Sequence, residues 1–475
     1  MKTLVIQLAR LGDIYQSWPT LNALKKSGQE VHLLTRSSFA QAAPTFIDRH
    51  WCFDTREILR PLIDERPDVD ASLNSLRATV EAIKTEKFDR VINLTYSPFS
   101  ASLAAAIGCA NTIGYSRHED RTLCIADDAS AYFYAQVGVG KHNRLHVVDL
   151  FAHTAGVQAD WSFGAAPACP LLTETTRGGI VIHIGASDLA KTLSWSKWLQ
   201  VVKALLSATD EPVVLVGSKD EIELAEKVAS VFGARKPINL VGRTNLNELY
   251  SIIDSASLVV GGDSAPVQIA SLTNTPVFNL SFPIVNLWET GPRSAGSRIL
   301  PLDSEDAYTS EEISREILAT LCRTRAKLPV IHVSGQSEAY SGVAETFEWE
   351  LVKALYMGEL FPSQPSPLFM MGLQRLEEVN SLAMEQIAAI KKDSTNQTAG
   401  LILNRVDDVM DQIMKMVPET APMIGWFRTE RLRIGPQAVD QIIEATRETH
   451  VRFSEVLSLY LDQGVAHEVA QLDKK

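Results

Sequence analysis

Three short segments of this sequence combine residue types that do chemistry with glycines and helix starts able to hold a ligand. In LARLGDI, residues 8–14, an apolar strand ends, Gly12 permits a tight turn, and Asp13 stands at the entrance to a helix. A carboxylate there has two readings: a general base facing the crevice above the strand ends, or a cap on the helix N–H groups. In GGDSAPVQIAS, residues 261–271, a valine-rich strand runs into two glycines, then Asp263 and Ser264, then an apolar helix. The first N–H groups of such a helix lack partners within it, which makes its start a ready phosphate site. Asp263 and Ser264 can also be plain caps, but the paired glycines imply that something approaches the backbone, and a ligand is the favoured reading. In HIGASDLAKTLSWSKW, residues 183–198, Lys191 lies in a loop between a strand and a helix, where an ammonium can face a diphosphate, although most lysines are simply solvated. Trp195 and Trp198 fit the buried face of the following helix better than a stacking platform.

Other patterns fail on inspection. GVGK at 138–141 lacks the spacing and hydroxyl of a phosphate loop and the third glycine of a dinucleotide fingerprint, so it reads as a turn. Asp68 and Asp70 form the D-x-D triplet with which metal-dependent sugar transferases hold a cation, but within PDVDASL they read as a helix cap. Cys52, Cys109, Cys124, Cys169 and Cys322 are far apart, odd in number and without a CxxC pair, which favours reduced, mostly buried thiols over a zinc site.

The elements that must position these residues alternate. TLVIQLA at 3–9, EVHLLTR at 30–36, DRVINLT at 89–95 and NTIGY at 111–115 read as strands, with helical spacing over 14–26, 70–84 and 99–107 between them. After a helix near 145–155, the Gly, Pro and Thr-rich stretch 160–179 reads as a linker. A second αβ series follows with IVIHIG at 180–185, PVVLVG at 212–217, INLVG at 238–242, LVVGGD at 258–263 and PVFNLSF at 276–282. Two doubly wound α/β domains, Rossmann-like and facing across a cleft, are expected over 1–160 and 179–328. From about 331 no comparable strand remains, and apolar positions 402, 406, 409, 413 and 416, then 439, 443, 453 and 457, repeat at helical spacing. An all-α extension over 331–475, with four or so helices forming a bundle or a cap on the second domain, is therefore expected. Eight of the nine methionines lie there, as core filler or as an adaptable contact surface.

Composition excludes several function classes. The 475 residues, 45% hydrophobic, suffice for about three domains with packed cores. No run of about 18 uncharged apolar residues appears, and Arg10 and Asp13 interrupt any signal-peptide core, so a soluble cytoplasmic protein with at most peripheral membrane contact is expected. Net charge is −12, and the 13 bases and 21 acids beyond residue 330 make the extension the more acidic part. Bulk electrostatics thus argue against nucleic acid or anionic lipid as partner.

Taken in order and spacing, these segments resemble glycosyltransferase family 9, the ADP-heptose:lipopolysaccharide heptosyltransferases, over residues 1 to about 325 and most strongly over 180–292. The resemblance implies a GT-B fold and an inverting transfer from a nucleotide-sugar donor that needs no metal and no cofactor. By position, it implies Asp13 of LGD as the catalytic base, with Gly12 in the turn beside it, and Lys191 as the lysine on the donor diphosphate, with Ser187 as a hydroxyl of the same loop. It further implies Glu221 on the nucleoside ribose, Thr244 in the base pocket, and Asp263, Ser264 and the backbone of Ala265 and Pro266 around sugar and phosphates. Ala265 replaces the family's usual glycine, Gln268 a usual histidine, and Leu193 and Ser194 a frequent Trp-Pro. These departures bear on the donor sugar more than on the reaction type. The acidic extension is not part of the usual family and is expected to dock an acceptor, cover the cleft or mediate oligomerisation. It leaves two alternatives to a lipopolysaccharide-core acceptor: O-glycosylation of a protein Ser or Thr, as on a flagellin, and a non-catalytic sugar-nucleotide-binding scaffold.

Overall fold

The computed structural model describes the chain apart from residues 64–65, 119, 175, 187, 234, 336–339, 341–342 and 473–475, with only the helical backbone of 463–472. Two compact units emerge, Met1–Phe88 with Leu145–Ala344, and Asp89–Arg144 with Glu345–Lys475.

The first unit opens with Lys2–Ile6 (β1), Leu11–Lys26 (α1), Glu30–Arg36 (β2), Arg49–Phe53 (β3), Thr55–Ile63 (α2) and Val69–Lys84 (α3). Strands β1, β2 and β3 form a parallel ladder with β2 in the middle. Strand β3 was not evident in the sequence because RHWCF is half-exposed and carries no apolar run. Asp68 caps α3 by accepting the Ala71 N–H, as its position in PDVDASL suggests.

The chain then enters the second unit with Arg90–Asn93 (β4), Pro98–Ile107 (α4), Thr112–Arg117 (β5), Leu123–Ile125 (β6) and Asp128–Gln136 (α5). Strand β5 pairs in parallel with β4 and antiparallel with β6. Ser97 caps α4, Pro98 opens it and left-handed Gly108 closes it. The GVGK segment is a turn, with Gly138, Gly140 and Lys141 at positive φ.

Back in the first unit come Val147–Thr154 (α6), Ile180–His183 (β7), Trp195–Ala208 (α7), Val213–Val216 (β8), Ile222–Ala229 (α8), Ile238–Asn239 (β9), Leu246–Asp254 (α9), Leu258–Gly261 (β10), Ala265–Leu272 (α10), Val277–Ser281 (β11), Leu287–Thr290 (α11), Arg298–Pro301 (β12), Ser310–Leu321 (α12) and Ile331–His332 (β13). Their seven strands order as β13-β12-β11-β10-β7-β8-β9, parallel except for β13. Strands β12 and β13 were missed as well: Arg298 and Pro301 bracket a four-residue RILP, and β13 has two residues. Both faces of this sheet are buried, which explains why IVIH, VVLV and LVVG are continuous apolar runs. Stretch 160–179 is irregular as expected, yet it packs, with Trp161, Phe163, Leu171 and Leu172 against the cluster around Ile14, Val259 and Val267.

The second unit resumes with Phe347–Met357 (α13), Pro367–Lys392 (α14), Gln397–Met416 (α15), Ala421–Leu432 (α16) and Val439–Leu472 (α17). Their core is Phe369, Leu373, Leu376, Met410, Phe427, Phe453 and Leu457, so the helical extension is a bundle as one of the two expected arrangements has it. Helix α16 lies close on α5, where a side chain at Gly425 would press on the Ala135 carbonyl at 2.7 Å. The methionines divide between both expected uses, Met410 and Met423 being fully buried and Met371 and Met416 exposed. All five cysteines are free, but none is fully buried: Cys52 and Cys322 are exposed, the former because its strand β3 is half-exposed. That corrects the expectation of mostly buried thiols.

Candidate functional site

The strand ends of the first unit gather most of the singled-out residues. Asp13 sits in the first turn of α1, where its Oδ2 accepts the Arg10 N–H at 2.8 Å. Capping and chemistry are therefore not alternatives, since the cap engages one carboxylate oxygen of two. Burial pushes the Asp13 carboxyl above its ordinary range; the Arg10 N–H and charge oppose this, Asp263 adds to it and Lys191 opposes it. Asp13 thus lies in the field of both residues. Gly12 does not form the expected tight turn. The helix starts at Leu11, the φ of Gly12 is ordinary, and a Cβ there would touch Gln268 Cγ at 3.7 Å, a normal contact.

Lys191 and Asp263 form an ion pair, Nζ to Oδ2 at 3.2 Å, with side chains 13% and 19% exposed. The loop that presents the lysine is tied down at each step. Asp188 accepts the Ala190 N–H on its side chain at 2.9 Å and the Lys191 N–H on its carbonyl at 3.0 Å. The Thr192 hydroxyl donates to the Ile184 carbonyl and accepts the Trp198 indole N–H. Leu193 is buried, and Ser194 caps α7, so both departures from the family pattern have structural duties. Trp198 is fully buried as expected, whereas Trp195 is 46% exposed because it opens α7 on the outer side. Ser187 lies outside the described residues.

The paired glycines have a different cause from the expected ligand. A Cβ at Gly262 would overlap the Lys191 carbonyl oxygen, and one at Gly261 would press on His183. What approaches the backbone is the chain's own lysine loop. The start of α10 is also poorer in donors than the sequence suggested. Pro266 has no N–H, the N–H groups of Val267 and Gln268 turn back to the Ser264 carbonyl, and the Ala265 N–H is the one left for a ligand among these. The Ser264 hydroxyl does not cap the helix and donates to the Gly262 carbonyl at 3.1 Å. Gln268 is buried and its amide donates to the Thr290 carbonyl at 2.6 Å.

Glu221 stands at the ends of β7 and β8. Its Oε2 accepts the Ser218 N–H at 2.5 Å and faces His183 Nε2 at 3.8 Å, and its carboxylate fills the space that side chains at Gly185 and Gly217 would take. Burial raises its pKa, but His183 and the Ser218 donors outweigh that and hold it below the ordinary range. Thr244 is half-buried between β9 and α9, and no hydrogen bond among the described residues joins it to the Lys191–Asp263 pair.

Sequence reasoning missed a buried group beside Gln268. Arg293 pairs with Asp149, His146 Nε2 bonds the Gly291 carbonyl at 3.0 Å while its Nδ1 accepts the Val148 N–H, and Tyr340 packs on Trp288 with its hydroxyl against Gly291. Burial drives the His146 pKa well below its usual value and that of Tyr340 up. These residues share no periodic or motif signal; GPR at 291–293 is their sole trace. Among the described residues no group of three or more His, Cys, Asp or Glu could hold a metal ion, and no helix is long and apolar enough to cross a membrane.

Residues 76–308 match Glycosyltransferase family 9 (heptosyltransferase). A lipopolysaccharide heptosyltransferase 3 of Escherichia coli K12 is 32% identical over 255 residues, 46% of this chain and 70% of that protein. A lipopolysaccharide heptosyltransferase 1 of Campylobacter coli is 25% identical over 58% of this chain and 82% of its own length. Among solved structures, a family 9 glycosyl transferase from Veillonella parvula superposes with a TM-score of 0.54 at 18% identity, covering 68% of this chain and 98% of its own. The E. coli ADP-heptose LPS heptosyltransferase II does so with 0.52 at 17% identity, over 68% and 99%. These likenesses show the GT-B fold of two mixed parallel sheets with flanking helices, here followed by a helical C-terminal region. With the family match and the 32% identical relative, they establish that the chain is a glycosyltransferase belonging to family 9.

Proposed function

We propose that this protein transfers heptose from ADP-heptose to a hydroxyl of a cell-surface glycan such as the lipopolysaccharide core, with inversion and without a metal ion. The observation that carries the reading is the desolvated Asp13 carboxyl held in the field of the Lys191–Asp263 pair. The acceptor oxygen attacks the anomeric carbon and gives its proton to Asp13, while the bond from that carbon to the diphosphate oxygen breaks and ADP departs. A carboxylate with a raised pKa is a better proton acceptor than an ordinary aspartate. Lys191 and the Ala265 N–H offset the charge that develops on the leaving diphosphate. Glu221 receives the ribose, Thr244 lines the base pocket, and Asp263, Ser264 and Gln268 meet the sugar. The relatives support this donor, since they include an E. coli heptosyltransferase solved with ADP. Five free thiols suit a cytoplasmic enzyme.

A thermal-shift panel of ADP, GDP, UDP and their sugars tests the donor, because a ligand of the folded state raises Tm by mass action. A selective ADP or ADP-heptose shift is expected; preference for UDP or GDP reassigns the donor, and silence across the panel overturns the nucleotide-sugar donor proposed here. Transfer to a protein hydroxyl instead of a glycan would appear as a mass increment on a polypeptide that alkaline β-elimination removes.

A further inference from the structure

We infer that Asp263 competes with the donor diphosphate for Lys191, so that the site holds an intact nucleotide sugar in preference to the nucleoside diphosphate left after transfer. This rests on the donor reading above. Among the described residues the Lys191 ammonium supplies the hydrogen bond that the Asp263 carboxylate receives, at 3.2 Å, and both side chains are largely out of water. Of the side chains next to it in the chain, the Ser264 hydroxyl is committed to Gly262, and the Gln268 amide spends one N–H on Thr290. A diphosphate that draws Lys191 away therefore takes from a largely buried carboxylate the hydrogen bond it receives, and does so in the field of the second carboxylate, Asp13. Such an uncompensated group is costly.

A sugar attached to the diphosphate changes the balance, because its hydroxyls donate to Asp263 in the place of the ammonium. A site whose buried polar group must find a partner rejects ligands that lack one. After transfer the sugar is gone, Lys191 returns to Asp263, and the diphosphate is released. The exchange is a movement of the lysine side chain alone, since Asp188, Thr192 and the close seat of the Lys191 carbonyl on Gly262 fix the backbone of its loop.

Calorimetric Kd values for ADP, GDP, UDP and the matching nucleotide sugars, on wild type and Asp263→Asn, test this. The substitution is expected to tighten the best nucleoside diphosphate by about fivefold or more and to weaken the nucleotide sugar, in line with the usual energy of a buried charged hydrogen bond. Loosened or unchanged diphosphate binding overturns the inference. Removal of a carboxylate could tighten diphosphate by simple charge, so the same change is made on Lys191→Gln. There Asp263→Asn should alter diphosphate affinity less than about twofold; an equal gain in both backgrounds overturns competition for the lysine. Silence of wild type alone faults the donor reading while diphosphate binding by Asp263→Asn still supports the exchange, and silence of both variants overturns the two together. Matching Tm values confirm that the folded forms are compared.

Discussion

In the unit formed by residues 1–88 and 145–344 the Lys191–Asp263 pair sits between a strand end and a helix start, whereas in the unit formed by 89–144 and 345–475 Asn380 and His450 lie buried inside a helical core. Among the described residues, Lys191 and Asp263 are joined by one hydrogen bond. In the helical core, Asn380 accepts the His450 Nδ1–H at 2.7 Å, donates to the His450 carbonyl at 3.0 Å and to Ser454, and Ser454 bonds Glu377. A single-point pair can be opened by a ligand; a reciprocal network fixes the register of α14 on α17 and has nothing to offer one. The same physics of desolvated polar groups thus serves exchange in one unit and specification in the other.

Truncation breaks the comparison most severely. Residues 89–144 share their unit with the helices: α16 packs on α5, Leu432 joins the cluster of Ala101, Tyr115 and Ile125, and Gln136 donates to Tyr356 and to the Pro422 carbonyl. Deleting 345–475 is expected to abolish cooperative melting, read by calorimetry. A truncated protein with a sharp transition would show that the helices are an appendage and restore them as an acceptor-docking module.

Asp13→Ala is next in size. Loss of a positioned base is worth about 10²- to 10⁴-fold in turnover, with donor affinity nearly intact. Lys191→Ala should instead weaken donor binding by more than about tenfold, on the order of 1.4 kcal/mol. Turnover like wild type in Asp13→Ala would sink the base assignment. Because burial raises the Asp13 pKa, its ionised form is disfavoured in the fold: the strain is absent below the unfolded pKa and appears as pH rises through the folded value. The acid limb of kcat/KM should accordingly lie above the ordinary aspartate range and disappear in Asp13→Asn.

Much of this site was legible, and the reasons differ by residue. Asp13, Lys191 and Asp263 lie next to strand ends that announce themselves as apolar runs, so their neighbourhood could be read from order alone, whereas Glu221 came from the family resemblance. The paired glycines were legible as a close approach but not as to what approaches, because sequence does not show that the 188–191 loop folds back on Gly262. Strands β3 and β12 escaped for lack of apolar period, and Tyr340, Arg293 and His146 because their contacts come from distant segments. Helices α15 and α17 were plain from their spacing; the union of the helices with 89–144 has no local signature.

The helical network offers a milder test through pH. Burial, with a smaller push from Arg431 against the pull of Asp407, lowers the His450 pKa to about 4. Its folded value lies below the unfolded one near 6.5, so the unfolded chain binds the extra proton first. The stability contributed by neutral His450 is complete above about pH 6.5 and is lost as pH falls towards 4. A His450→Gln variant should be less stable at neutral pH but should lose less on acidification. Parallel acid curves for variant and wild type would take His450 out of the account.

The smallest change bears on the helix start that separates this chain from its family pattern. Ala265 is the first residue of α10 and follows Ser264, whose hydroxyl points back to Gly262 instead of capping the helix. Glycine at that position removes a methyl beside the Ala265 N–H, at a stability cost of about 0.5–1 kcal/mol or less, since first-turn positions tolerate glycine better than the interior. If the methyl narrows the turn, Ala265→Gly tightens nucleoside diphosphate while lowering Tm slightly, the trade expected of a unit built for exchange. If Tm falls and affinity does not change, the alanine is a helix former and the diphosphate is held by Lys191 alone.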